Sequence, residues 1–300
     1  VELNFHWKHG IKLKRCRGKP AALAELIGWL EDDKGIQEEK KICLSKVREV
    51  RGDFHDIRSS AAFVLALLEE AIIMKVLDLG CRTGSAVAAW QAHGDTVIGV
   101  DWEDFGQQII GDFTKEETWE IIDNVTPIWE DDVKDYDFIW FSPDCAIFSV
   151  GNFAAGHFCP ETYEPLTERA KREVEGIEFV IKKIQERKPR LGWIAENPRS
   201  LFRKMPFVKG LDMVTVSYCQ YHDTRMKPTD LFGNIPYMFE PKLCKNGDKC
   251  HIPAPRGSRS GTQGMDKTTA GMIPYELSNA IRTAAIRSFE TPMVTLRDFI

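Results

Sequence analysis

Long hydrophobic runs are missing from this chain of 300 residues. None approaches the roughly 20 apolar residues that cross a bilayer, so no membrane span and no membrane partner are expected. The first residues lack the basic, then apolar, then small pattern of a secretory signal, because their apolar positions are scattered among lysines. Cysteine is sparse for a disulfide scaffold. Eight are spread through a chain too long to need staples, which points to reduced thiols. Methionine is absent until Met74, which stands directly before "KVLDLG". The core could start at Met74, and the lack of a span and of a secretory signal predicts a soluble, intracellular, cytoplasmic protein.

What is present can bury a core. Apolar residues make up 43% of the chain, enough for one large domain with an appendage or two. Net charge is −5, which averaged over the chain argues against nucleic acid. Its distribution argues otherwise. Between Lys182 and Arg259 there are 16 Lys and Arg against 7 Asp and Glu, and a clustered basic face matters more than the total.

Residues 1–73 read as a helical N-terminal extension. A basic start is followed by two helical patterns, "PAALAELIGWLEDD" and "DIRSSAAFVLALLEEAI". From Met74 strand and helix alternate: "KVLDLG", "TVIGVD", "QQIIGD", "DFIWFS", "LGWIAE" and "DMVTVSYC" read as strands. "SAVAAWQAH", "EETWEIIDN" and "PLTERAKREVEGIEFVIKKIQER" read as the helices between them. The expected fold is α/β, a doubly wound Rossmann-like sheet with ligands at the carboxyl ends of its strands. The predicted organisation is a core over 74–232, a small irregular region over 233–269 and a returning C-terminal helix over 270–300.

"VLDLGCRTGS" is a strand entering a glycine turn and then a helix. Gly80 and Gly84 let the backbone approach a ligand, and Asp78 stands at the strand end. In "VIGVDWE", Asp101 follows at the tip of the next strand, a distance that suits binding of ribose hydroxyls. The glycine spacing is not that of a dinucleotide site. "DLGCRTG" instead resembles the "DLGCGTG" loop of S-adenosylmethionine-dependent methyltransferases, with Arg82 in place of a glycine. That resemblance gives Asp112, in "IIGDFT", the adenine amino group.

The stretch "DFIWFSPDC" leaves Cys145 at a strand tip that faces the substrate side of such a cofactor. "WIAENP" ends the next strand with Glu196 at its tip. A thiol and a carboxylic acid beside a methyl donor suit methylation of a pyrimidine carbon. The thiolate adds to C6, the acid hydrogen-bonds N3, and C5 becomes nucleophilic.

Six pieces in order over residues 74–290 resemble the DNA cytosine-C5 methyltransferase family, particularly compact bacteriophage forms. They are "DLGCRTG", "GVD", "GDFT", "SPDC", "ENP" and "CQYHDTRMKP". The resemblance implies methyl transfer from S-adenosylmethionine to a cytosine flipped out of duplex DNA, in a bacterial or phage-infected cell. It implies catalytic roles for Cys145, Glu196 and Arg225, the last from the pattern Gln220…Arg225-x-Lys227. It assigns the cofactor to Asp78, Gly80, Gly84, Asp101, Trp102, Asp112 and Pro143. The same chemistry on RNA, and a catalytically impaired DNA-binding protein on the same scaffold, are the alternatives. An amino-group methyltransferase would need an aromatic residue where Cys145 stands.

The chain departs from the family pattern in places. Asp144 replaces the second proline of Pro-Pro-Cys and sets a carboxylate beside the nucleophile. It is expected either to raise the thiol pKa or, the preferred reading, to pair with Arg225 or Lys227. Pro274 matches a family position, but the family's preceding asparagine is absent. In "CKNGDKCH", Cys244, Cys250 and His251 could bind zinc with Cys219 or His222. Their spacing departs from common short zinc loops, so reduced structural cysteines are the reading adopted and no metal is assigned. "RGSRSGTQG" offers Arg256, Arg259, Thr262 and Gln263 for phosphates and base edges. His157 and Cys159 read as ordinary loop packing.

Overall fold

The computed structural model describes residues 2–3, 16–17, 73–125, 136–149, 155–245, 247–253, 262 and 264–290. The chain divides into two compact units, Val1–Ile72 and Ile73–Ile300. In the first unit the described residues form one short antiparallel pair, Glu2–Leu3 with Cys16–Arg17. The two helical patterns read there, and Arg256, Arg259 and Gln263, lie outside the described residues.

The second unit is built on a seven-stranded sheet. Its strands are β1 (Lys75–Leu79), β2 (Thr96–Asp101), β3 (Ile109–Ile110), β4 (Phe138–Phe141), β5 (Trp193–Pro198), β6 (Asp212–Ser217) and β7 (Pro228–Asn234). They lie in the order β3-β2-β1-β4-β5-β7-β6. The first five are parallel, and β7 runs antiparallel to both of its neighbours. The fold is therefore the expected α/β, Rossmann-like one. The order reverses between β1 and β4, and this switch point opens a crevice at the carboxyl ends of the strands.

Both faces of the parallel part are covered, which is why its strands read as nearly continuous apolar runs. Leu77, Leu79, Ile139 and Phe141 belong to one buried cluster with Val174, Ile177, Ile181 and Ile184. The last four lie on α3 (Glu168–Arg187), which starts at an N-cap where Thr167 accepts from the Ala170 amide. α2 (Glu116–Val125) adds Trp119 and Ile122 to that face. On the other face Trp90 stacks on Phe138, with ring centroids 4.8 Å apart.

The expected first helix divides into a 3-10 turn (Ser85–Val87) and α1 (Ala88–Ala92), which carries Trp90. After the short α4 (Lys267–Gly271), α5 (Tyr275–Glu290) returns to that region. Ser278 donates to the Ala86 carbonyl over 2.7 Å, and buried Arg282 pairs with buried Asp95 at 2.5 Å. Asp95 also accepts the Met74 amide, so this pair reaches the start of β1. No helix among the described residues is long and apolar enough to cross a membrane.

One strand of this sheet was not expected. β7 extends past residue 232 and inserts between β5 and β6. Its polar Thr229 and Asp230 are buried. Asp230 is satisfied there by Arg203 and by the Thr215 hydroxyl at 2.8 Å.

Candidate active site

A cleft of about 1550 Å³ follows the carboxyl edge of the sheet. Gly80, Asp101, Trp102, Asp112, Pro143, Cys145 and Glu196 line it. Asp78, Gly84 and Arg225, to which the family resemblance also assigned catalytic or cofactor roles, do not.

At one end of the cleft β1 gives way to the glycine turn. Gly80 has φ +78°, and a side chain there would meet the Ser142 carbonyl oxygen at 2.4 Å, so the turn packs directly on the tip of β4. Arg82 adopts φ 40°, the left-handed region that glycine enters most easily. The turn therefore has a glycine-like backbone at an arginine. The Arg82 amide donates to Asp101 Oδ2 over 3.1 Å, which orients that carboxylate at the end of β2. Trp102, more than half exposed, follows it. Asp112 accepts from both the amide and the hydroxyl of Thr114, at 2.9 and 2.6 Å. The segment before α5 reaches the same turn, where the Ile273 amide donates to Ser85 Oγ.

Asp78 lies beneath this turn. It is fully buried, and neither carboxylate oxygen has a hydrogen-bond partner among the described residues. Burial, reinforced by the charge of Asp101, raises its pKa to about 8, so it is mostly neutral at pH 7.

At the other end are the groups suited to covalent chemistry. β4 stops at Ser142, whose amide donates to the Leu79 carbonyl. Asp144 then accepts the Ala146 amide over 2.9 Å, a local turn that holds Cys145 out while Ile147 and Phe148 return to the core. Glu196 lies at the end of β5, buried, and accepts a 2.9 Å hydrogen bond from the Tyr218 hydroxyl. Lys227, also buried, precedes β7, with its ammonium 4.6 Å from the centre of the Tyr218 ring.

Strand direction explains this convergence. Because β7 is antiparallel to β5 and β6, its start lies at the edge where those two strands end. Lys227, Glu196 and Tyr218 therefore meet beside Cys145, although the chain separates them widely.

The electrostatics follow from burial. Cys145 opens onto the cleft, yet its thiol is enclosed closely enough that burial pushes its pKa up. Glu196 pushes it further, Lys227 opposes the rise, and Asp144 adds a smaller upward push. Burial also raises the Glu196 pKa, against the Lys227 charge and the Tyr218 hydrogen bond. The same burial lowers Lys227. Burial favours the protonated form of the Glu196 carboxyl, the form that can donate to a ring nitrogen.

The expected pairing of Asp144 with Arg225 or Lys227 is not present. Arg225 is taken up by Asp223 and by the carbonyls of Thr269, Ala270 and Met272. It braces the segment before α5 and stands apart from the cleft. The charges around Lys227 are Glu196, Arg225, Cys145 and Asp223. Tyr218 carried no motif in the sequence, and of the pair Arg225 and Lys227 named there, Lys227 lines the cleft and Arg225 does not. His157 and Cys159 sit in a loop outside the cleft, His157 against the Thr167 hydroxyl.

No family model matches the chain and no curated relative does. Among solved structures it is similar to the methyltransferase EhMeth of Entamoeba histolytica, at 8% identity and a TM-score of 0.40, covering 58% of this chain and 57% of that one. It is similar to the Dnmt2 methyltransferase of S. pombe at 12% identity and a TM-score of 0.35, covering 57% and 52%. A third is the magnesium protoporphyrin IX methyltransferase (ChlM) of Synechocystis PCC 6803 with bound SAM, at 13% identity and a TM-score of 0.27, covering 68% and 86%. The chain spans little more than half the length of the first two.

Proposed function

We propose that this protein transfers a methyl group from S-adenosylmethionine to C5 of cytosine in DNA through a covalent cysteine adduct. The observation that carries the reading is the convergence of Cys145, Glu196 and Lys227 at one end of a cleft whose other end suits a nucleoside.

The donor set at that other end fits S-adenosylmethionine. The Asp101 carboxylate, oriented by the Arg82 amide, is an acceptor for two adjacent ribose hydroxyls. Trp102, Phe113 and Pro143 offer apolar surface for the adenine, with Asp112 as an acceptor for its amino group. When bound, the cofactor supplies the electrophilic methyl group.

The chain's own residues prepare the acceptor. Cys145, ionised with help from the Lys227 charge, forms a bond to C6 of the pyrimidine. Glu196 donates its proton towards N3, offsetting the charge that the addition places on the ring, while Tyr218 fixes the carboxyl. C5 becomes electron-rich and is the atom methylated. Loss of the C5 proton to a base then returns the electron pair to the ring, and the Cys145–C6 bond breaks.

A target base must leave the duplex to reach such a cleft. The basic excess between Lys182 and Arg259 supports a polyanionic partner. The decisive experiment supplies labelled S-adenosylmethionine with duplex DNA or tRNA, and separately with DNA carrying 5-fluorocytosine. Methylation of DNA and a trapped adduct lost in Cys145→Ala are expected. Trapping that survives in the alanine variant would overturn the nucleophile, and methylation of tRNA alone would overturn the substrate.

A further inference from the structure

Four further side chains, from two stretches of the sequence, meet beside the cleft. Cys219 lies in the 3-10 turn Tyr218–Tyr221 that follows β6, and Cys244, Cys250 and His251 lie in the irregular stretch after β7. Their three sulfur atoms and one imidazole nitrogen all lie within 4.8 Å of one another. Cys219 and Cys250 are 3.6 Å apart at sulfur, and His251 Nδ1 is 3.5 Å from Cys244 Sγ and 3.6 Å from Cys250 Sγ.

Three of the six pair distances, at 3.5–3.6 Å, match the edges of a coordination tetrahedron, and the rest stay within 4.8 Å. With Zn–S bonds of about 2.3 Å and Zn–N bonds of about 2.0–2.1 Å, ideal edges are about 3.8 Å between sulfurs and about 3.6 Å from sulfur to nitrogen. A disulfide would need a sulfur separation of about 2.05 Å, and all three cysteines are free.

We propose that Cys219, Cys244, Cys250 and His251 bind one structural zinc ion. Three thiolates and one neutral imidazole form a closed set with no position left for water, the pattern of a structural site. The surroundings suit that role. The Gln220 side-chain amide donates to Cys250 Sγ over 3.2 Å, a hydrogen bond that supports a metal-bound thiolate. The Cys244 amide donates to Ser217 Oγ and the Ile252 amide to the Thr224 carbonyl, fixing the backbone on either side of the ligands. The adopted reading of these cysteines as reduced packing residues is replaced by a metal centre.

Its position assigns it a task. Cys219 directly follows Tyr218, which holds Glu196, while His251 and its two successors line the cleft. The ion would clamp the irregular stretch onto the turn that supports the acid, and so hold one wall of the cleft. This inference does not depend on the reaction proposed above, because it concerns only the four ligands.

The test is elemental analysis of the full chain purified without added metal or chelator, with zinc affinity measured by competition against a chromophoric chelator. One zinc ion per chain is expected. Cys250→Ser, at the exposed ligand, and His251→Ala should each lower affinity by about two orders of magnitude or more while far-ultraviolet circular dichroism stays that of a folded protein. Cobalt substitution should give tetrahedral ligand-field bands and thiolate charge transfer. Substoichiometric zinc with unchanged affinity in both variants, an octahedral cobalt spectrum, or a Cys219–Cys250 disulfide in the freshly purified chain would each overturn the site.

Discussion

The Tyr218 hydroxyl donates to Glu196 Oε1 over 2.9 Å, and both side chains are buried. The acid is thus held from the turn beyond β6, two strands away in the sheet. Tyr218 touches neither nucleophile nor methyl donor in the scheme above, so it acts as a positioning residue.

Removing that hydroxyl tests the role. Tyr218→Phe should cost roughly 0.5–1.5 kcal/mol in kcat, a few-fold to about tenfold, with KM for DNA little changed. The hydrogen bond holds the Glu196 pKa down against burial, so its loss should move the alkaline limb of the kcat profile to higher pH. A lower kcat with an unmoved limb would reduce Tyr218 to packing.

Charge around the thiol gives a second pair of variants. Lys227 is the cation opposing the rise in the Cys145 pKa and Glu196 is the nearby acid reinforcing it. Lys227→Met should shift the pH profile of Cys145 alkylation upward, and Glu196→Gln should shift it downward, with the other cysteines replaced. Both variants should lose methyl transfer. Shifts of the same sign would contradict the arrangement.

Asp144 is a turn former first and a charge second. Its carboxylate caps the Ala146 amide, and its effect on the thiol is smaller than that of burial or Glu196. Asp144→Pro should therefore lower the Cys145 alkylation pKa by less than Glu196→Gln does. A larger shift would mean that Asp144 dominates the field at the nucleophile.

Asp101 offers a direct measure of the cofactor end. Asp101→Ala removes a charged acceptor and should weaken S-adenosylmethionine binding by about 1.5–3 kcal/mol, read by calorimetry. Unchanged affinity would remove the ribose contact.

Asp78 predicts a pH dependence of stability. Its folded carboxyl keeps its proton to about pH 8, whereas the unfolded one ionises near 3.8. The native state holds the extra proton between those values, so Asp78 makes stability fall as pH rises through that window. Asp78→Asn should flatten the fall and raise Tm at pH 8 relative to the parent. A parallel curve for the two proteins would show that Asp78 ionises when folded.

Several of these residues were legible in the chain and several were not. Asp101 and Cys145 were readable because each ends an apolar run, and a run of that kind ends where a parallel strand reaches the edge of its sheet. Glu196 was readable for the same reason, in "WIAENP". β7 was missed because "PTDLFGN" places a threonine and an aspartate in the interior. Arg203 and Thr215, on other elements, make the burial of Asp230 tolerable, and the Thr229 hydroxyl donates to the Lys227 carbonyl. Arg225 and Lys227 are two residues apart, and nothing local says which one faces the cleft. Asp223 and three carbonyls hold the first, which leaves Lys227 beside the thiol and the acid.

The sequence by itself determined the alternation of strand and helix, the glycine turn and the tips that bear Asp101, Cys145 and Glu196. Each of these is written in short-range periodicity and local turn chemistry. The tertiary structure alone decided that an antiparallel β7 brings Lys227 and Tyr218 to Glu196, and that Cys219 meets Cys244, Cys250 and His251. Those contacts join residues far apart in the chain, and strand direction and buried charge pairing set them once the sheet has formed.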